Sequence, residues 1–131
     1  MALQFDTTTR NNWLTTLSTN VGNSGFLDIY TGTPPANCAA GATGTLLAAL
    51  TTYVSGFGIV ASGTLTANAI SAATAGASGT AGYFRLTDSG AVVHIQGTVA
   101  VSGADLNITN TSIASGDAVS VSSWTITAPG A

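Results

Sequence analysis

General acid–base chemistry has few groups to draw on in this chain. There is one histidine, His94, and one cysteine, Cys38, with no lysine and no glutamate. Proton transfer would therefore have to use His94 or a pair drawn from Asp6, Asp28, Asp88, Asp105 and Asp117. Ser89, His94 and Asp105 supply the residue types of a Ser/His/Asp relay. No G-x-S-x-G elbow presents a nucleophile, however, and serine is abundant enough that such triples arise from composition alone. His94 alternates with valines along a strand pattern, which is the setting of a structural or solvent-facing histidine rather than a base. One His and one Cys cannot furnish four zinc ligands. Calcium on Asp88, Asp105 or Asp117 is conceivable, but each lies in an apparent turn, where aspartate is favoured for its hydrogen bonds to the backbone. The glycines form neither G-x-G-x-x-G nor a P-loop. The sequence thus assigns no catalytic, cofactor-binding or metal-binding residue, and points to a non-enzymatic protein.

Composition narrows the partners. Arg10 and Arg85 are the only basic side chains beside His94, and the net charge is −3. Two arginines cannot neutralise a run of phosphates, so nucleic acid is excluded as a partner on electrostatic grounds. The surface must be Ser, Thr, Asn and Gly, which adds little electrostatic cost when molecules pack densely, unlike the charged surface that keeps a free monomer apart. Aliphatic content is too high for a disordered chain. The start of the sequence carries no basic and apolar signal pattern, and no stretch approaches the roughly 18 consecutive apolar residues of a membrane span. A soluble protein made in the cytoplasm, with no membrane partner, is expected. Cys38 has no internal disulfide partner and sits in a Gly/Ala-rich loop, Pro35 to Gly44, with no role assigned. Sequons at Asn107-Ile108-Thr109 and Asn110-Thr111-Ser112 are expected by chance in so Thr/Ser-rich a chain.

The elements that would position these residues belong to one domain, 1–131, with a helix over 6–21 and a β-sandwich over 25–128. Asp6 suits an N-cap, Trp13, Leu14, Leu17 and Val21 make an apolar stripe, and Asn20 or Gly22 ends the helix. Its poor intrinsic propensity means that it persists only by burying the Trp13 face, on the domain or on a neighbouring subunit. Period-two alternation then marks Phe26 to Tyr30 as the first strand. Thr45 to Thr52 reads as a short strand or a packed loop, and Gly56 and Gly58 precede short strands at Ile59 to Ala61 and Thr64 to Ala67. The segment from Ala72 to Ala81 reads as a mobile surface loop. A hairpin joins Tyr83-Phe84-Arg85-Leu86 to Val92 to Val101 through Thr87-Asp88-Ser89-Gly90. Val93, Ile95, Val99 and Val101 are assigned to its core face, and Gly97 to a bulge or a close backbone approach. Leu106 and Ile108 form a further strand and Asn110 to Gly116 a loop. Ala118 to Thr127 reads as one long strand whose apolar phase slips by three residues, as a bulge near Ser122-Ser123 would allow. Roughly seven or eight short strands after one helix predict a mainly all-β fold, an antiparallel β-sandwich, with a jelly roll as one form of it. Tyr30, Tyr53 and Tyr83 are read as exposed aromatics that either cover a core edge or oligomer interface, or stack on sugars.

Several stretches taken together resemble a group of small proteins of tailed bacteriophages, the capsid decoration or cement proteins. They are Leu27-Asp28-Ile29-Tyr30-Thr31-Gly32-Thr33-Pro34-Pro35, Gly41-Ala42-Thr43-Gly44-Thr45-Leu46-Leu47-Ala48, Gly79-Thr80-Ala81-Gly82-Tyr83-Phe84-Arg85-Leu86, and Gly97-Thr98-Val99 with Ser102-Gly103-Ala104-Asp105-Leu106. The likeness covers most of the chain after the helix, in turn and strand patterns without a catalytic signature. It implies a β-sandwich or jelly-roll unit, made in the host cytoplasm, that sits on the outer surface of the virion capsid. Such a unit is expected as a homo-oligomer, a homotrimer, bound to the major capsid protein, bridging capsomers with no active site or cofactor. Many repeated contacts of moderate affinity then stabilise the shell. The alternative is a β-sandwich module of a tail or head fibre that binds host glycans through the tyrosines.

Overall fold

A computed structural model describes residues 3–52 and 57–131. The expected helix is α1, Thr7–Val21: the Asp6 carboxylate accepts the Thr9 N–H, and Gly22 ends it at φ +70°, a left-handed conformation that suits glycine. Its buried face differs from the one expected. Arg10, Leu14 and Val21 are buried, with Leu17 packed beside them, whereas Trp13 is 41% exposed and meets Phe5 edge-on at 4.7 Å. The stripe is i, i+4, i+7 and i+11, headed by a cation. It rests within the domain, against the strands at Gly58–Ala61 and Thr64–Ala67.

The main sheet is built from β1 (Phe26–Thr31), β2 (Leu46–Thr51), β6 (Gly79–Thr87), β7 (Val93–Ala100) and β8 (Leu106–Asn107) in the order β2-β1-β6-β7-β8. The first four pair antiparallel, but β8 runs parallel to β7, so the sheet is mixed rather than antiparallel throughout. Leu27, Ile29, Leu50, Phe84 and Leu86 occupy its core face and are almost wholly buried. On the opposite face a transverse row runs Ala49, Asp28, Arg85, Gln96, and beside it stand Tyr30 and Tyr83.

Two expectations for β7 change. The register slips at its start: Leu86 lies opposite Ile95 but Thr87 opposite Val93, so the extra residue is His94. That bulge turns Val93 onto the Arg85 face instead of the core face, because one inserted residue inverts the alternation. Val101 is exposed, leaving Val99 as the buried valine of the expected set. Gly97 is the close approach rather than the bulge: a Cβ there would collide with the Asp105 side chain and the Phe84 ring.

The rest of the chain makes short strands that close the core. β3 (Gly58–Ala61), β4 (Thr64–Ala67) and β11 (Thr125–Thr127) form a three-stranded sheet in the order β11-β4-β3. β5 (Ala73–Thr74) pairs with β10 (Ala118–Val119), and β9 (Ser112–Ile113) with the start of β6. The expected long strand from Ala118 to Thr127 is therefore two strands in different sheets. The three-residue phase step marks the crossing between them, not a bulge. The expected surface loop from Ala72 to Ala81 contains β5 and the start of β6, with Ala75 and Ala81 buried, and the loop from Asn110 to Gly116 contains β9. Trp124 stitches the parts together, edge-on to Phe57 at 5.7 Å and to Phe84 at 5.0 Å, with its indole N–H donated to the Asp105 carbonyl. The architecture is mainly β with one helix, a curled mixed sheet closed by smaller ones. Among the described residues no helix is long and apolar enough to cross a membrane.

Candidate functional site

Both arginines are buried, and both donate to backbone carbonyls, Arg10 to one and Arg85 to three. Arg10 sends Nε and Nη2 to the Ala128 carbonyl at 3.2 and 2.7 Å, at the end of the β11–β4 ladder, where Ala128 N–H in turn donates to the Gly63 carbonyl. The guanidinium lies flat against Gly63, in the β3–β4 turn, where a Cβ would overlap it, and the adjacent Asn11 accepts the Gly63 N–H at 2.7 Å. Arg10 and Asn11 thus dock the helix on a hairpin tip through polar contacts that no hydrophobic pattern announces.

Arg85 does a different task on the outer face of the main sheet. Its Nη2 donates to the carbonyls of Asn37, Cys38 and Ala40 at 3.4, 2.9 and 2.7 Å. Gln96 Nε2 donates to the Pro35 carbonyl at 2.8 Å, and the Tyr83 hydroxyl binds both backbone groups of Thr43. Neighbours across β6 and β7 thereby hold one loop, Pro35 to Gly44, over the sheet. Asn37 stiffens that loop by accepting the N–H groups of Ala39 and Ala40. Arg85 Nε and Gln96 Oε1 are buried without partners among the described residues. Asp28 stands opposite Arg85; burial pushes its carboxyl above the usual carboxylate range, while the guanidinium pulls the other way. Beyond Arg85 an open cleft of about 520 Å³ lies between the loop and the β6–β7 turn, walled by Cys38, Ala39, Ala40, Ala91, Val92 and Val93.

The turn beside this cleft gathers the chain's histidine. Asp88 Oδ1 accepts the N–H groups of Gly90 and Val92 at 2.8 and 3.0 Å, and Oδ2 lies 3.0 Å from His94 Nε2. The His94 bond, then the Val92 N–H, hold the Asp88 carboxyl below the usual range. Asp105 is committed elsewhere, accepting from Thr98 N and Oγ1 at 2.9 and 3.0 Å, so Ser89, His94 and Asp105 are not joined into a relay. Asp117 accepts the Ala114 N–H within its turn. Among the described residues no three potential metal ligands cluster.

The tyrosines differ from the expectation of exposed platforms. Tyr83 is fully buried and Tyr30 half-buried, the two stacked at 5.0 Å and 9°. Tyr53 and Gly56 lie outside the described residues. The residues that sequence reasoning missed are Arg10, Asn11, Arg85 and Gln96. In a chain with two basic side chains, the one usable signal was their scarcity, since each is then more apt to serve a specific bond than general solubility. No protein-family model, no curated protein and no solved structure matches the chain.

Proposed function

We propose that the protein is a structural component of a virion, a capsid cement or decoration protein. In this reading it is a homo-oligomer, a trimer, on the outer shell surface, bound to the major capsid protein, and works by contact alone, with no enzymatic step, cofactor or metal. The observation that carries the reading is the withdrawal of both arginines into backbone bonds. What remains outside is hydroxyl and amide surface, a few carboxylates, and exposed apolar side chains at Leu3, Phe5, Trp13, Ile59, Val92 and Val101. Interface cores are depleted of charged residues because burying an unpaired charge is costly, and this surface has only scattered aspartates to desolvate. The phage-like strand and turn motifs supply the shell as partner. Phe5 and Trp13, paired edge-on and each about two-fifths exposed where the helix meets the C-terminal segment, offer a partly open aromatic contact of the kind that dominates interface energies.

The test is stoichiometry on purified particles of the virus that carries the gene. Copy number comparable to the major shell protein, with density over the capsid surface, is the expected result. A few copies confined to the tail would replace the reading with the fibre alternative, and absence from particles would end it.

A further inference from the structure

Departures from regular structure converge on the open cleft beside Arg85. The first is the arginine itself. It is only 4% exposed, and every bond it makes to a described residue comes from Nη2. Nε is fully enclosed, whereas Nη1 donates to none of the described residues and is not shut off from solvent. The carbonyls that hold Nη2 carry no net charge. Among the described residues the ion pair is His94–Asp88, and no carboxylate comes within ion-pair distance of Arg85. A guanidinium does not shed its proton to escape burial, so this charge stays uncompensated at close range. The second departure is the His94 bulge, which turns Val93 onto the Arg85 face and into the cleft wall. The third is Ala91, held at φ +63°, a left-handed conformation that ordinarily falls to glycine, although Gly90 stands next to it. Its methyl group is thereby set on the cleft wall at a cost in backbone energy, and such costs gather where a surface is shaped for a ligand.

We infer that this cleft is a carboxylate-binding site, taking a small monocarboxylate with a short branched apolar tail. The ligand's oxygens accept from Arg85 Nη1 in a charge-assisted bond and supply the negative charge that the guanidinium lacks. The tail lies between Ala39 and Ala40 on the loop and Ala91, Val92 and Val93 on the other wall, side chains with no polar group to offer. Charge complementarity sets the sign of the ligand, because no aspartate lines the cleft. The neighbouring acids are placed elsewhere: Asp88 is spent on Gly90, Val92 and His94, and Asp28 faces Arg85 from β1. A phosphate fits poorly, since Arg85 is the one charged side chain in the lining and no side-chain hydroxyl or amide accompanies it. The cleft volume of about 520 Å³ falls within the span of small-molecule sites, roughly 300–1,000 Å³. The inference stands on this cleft and does not require the capsid reading.

The probe is isovalerate, titrated at neutral pH to millimolar concentrations against the intact protein and followed by amide NMR, with uncharged isovaleramide and tail-less acetate in parallel. Isovalerate should shift the amides of Cys38, Ala39, Ala40, Ala91, Val92 and Val93 along a saturable curve and slow alkylation of the Cys38 thiol at the cleft wall. Isovaleramide should do neither, and acetate should bind at least about threefold more weakly, having lost its apolar contacts. No saturable shifts, shifts equal for the amide, or shifts centred elsewhere would overturn the site. Inorganic phosphate binding more tightly than isovalerate would overturn the carboxylate class. A short peptide ending in a free valine carboxylate, bound more tightly than isovalerate, would overturn the small-molecule assignment and give the cleft to a chain terminus. Because Arg85→Ala also frees the loop, charge is tested at the exposed Val92 instead. Val92→Asp and Val92→Asn are nearly isosteric and keep the backbone N–H that Asp88 accepts. The aspartate variant should bind isovalerate about threefold or more weakly than the asparagine variant, through like-charge repulsion across the cleft. Equal affinities would mean that no charged contact is made and would overturn the site.

Discussion

Arg10 and Arg85 are the same residue type at similar depth, yet they stabilise different things. Arg10 puts two donors on one carbonyl, at a seam where helix, hairpin tip and last strand meet. Arg85 spreads one nitrogen over three carbonyls of a single loop and leaves Nε without a partner among the described residues. The first bond set closes the domain, and the second shapes a surface. The difference shows how a chain poor in charge uses its few cations, as hydrogen-bond donors to backbone groups that would otherwise go unsatisfied.

The comparison breaks most directly at Arg10. Arg10→Ala removes both bonds to Ala128 and empties the space against Gly63, and should cost about 3 kcal/mol of global stability in urea denaturation. Arg10→Met keeps the apolar stem and should recover part of that loss. A cost under about 1 kcal/mol for the alanine variant would mean that the helix is held by Leu14 and Val21 alone. Arg85→Ala should cost less, about 2 kcal/mol, and act locally. Cys38, half-buried in the loop that Arg85 holds, would report this through faster thiol labelling with the α1 amides still protected. Labelling unchanged from the parent protein would show that Tyr83 and Gln96 hold the loop without Arg85.

A smaller effect sharpens the account of the helix. Asp6→Ala deletes the N-cap acceptor of Thr9 and should destabilise the protein by less than Arg10→Ala does, as loss of an exposed cap ordinarily would. If it costs as much as Arg10→Ala, the helix depends on its own nucleation rather than on the polar seam. The same carboxyl is held below its ordinary range by the Thr9 bonds. Its contribution is therefore present above the unfolded value and fades as pH falls through the lowered one.

Local signals were legible in the sequence and long-range ones were not. The helix ends could be read because Asp6 and Gly22 act on their own neighbours, and β1 and the β6–β7 hairpin because alternation and a turn sequence are local. The buried helix stripe was misjudged because Trp13 outweighs Arg10 on any hydrophobic scale, although Arg10 is the residue that continues the Leu14, Leu17, Val21 spacing inward. The His94 bulge left no trace, since valines alternate straight through it. The step from Val121 to Trp124 was visible, but a bulge and a crossing between sheets produce the same step. At the site, Arg85 and Gln96 find their partners among carbonyls of a distant loop, and a carbonyl has no sequence signature. Two-residue strands such as β5, β9 and β10 exist through pairing alone, so no propensity marks them.

The smallest expected effect lies at Asp28, on the Arg85 side of the comparison. Burial raises the Asp28 carboxyl and Arg85 lowers it, with burial the larger cause. A carboxyl raised in the folded state binds its proton more tightly there than in the unfolded chain. The associated stability is thus full below the unfolded value, near about pH 4, and is lost as pH rises through the raised folded value. At neutral pH Asp28 is a net cost, trimmed by its partial exposure to solvent. Asp28→Asn should stabilise the protein at pH 7 by less than about 1 kcal/mol, and the gain should vanish at about pH 3.5, where both side chains are neutral. Destabilisation at pH 7 would reverse the order of causes and make Asp28 the counter-ion of Arg85. In an Arg85→Ala background the attraction that offsets burial is gone, so the gain from Asp28→Asn should grow. Equal gains in both backgrounds would show that the two side chains, though opposite one another across β1 and β6, do not interact.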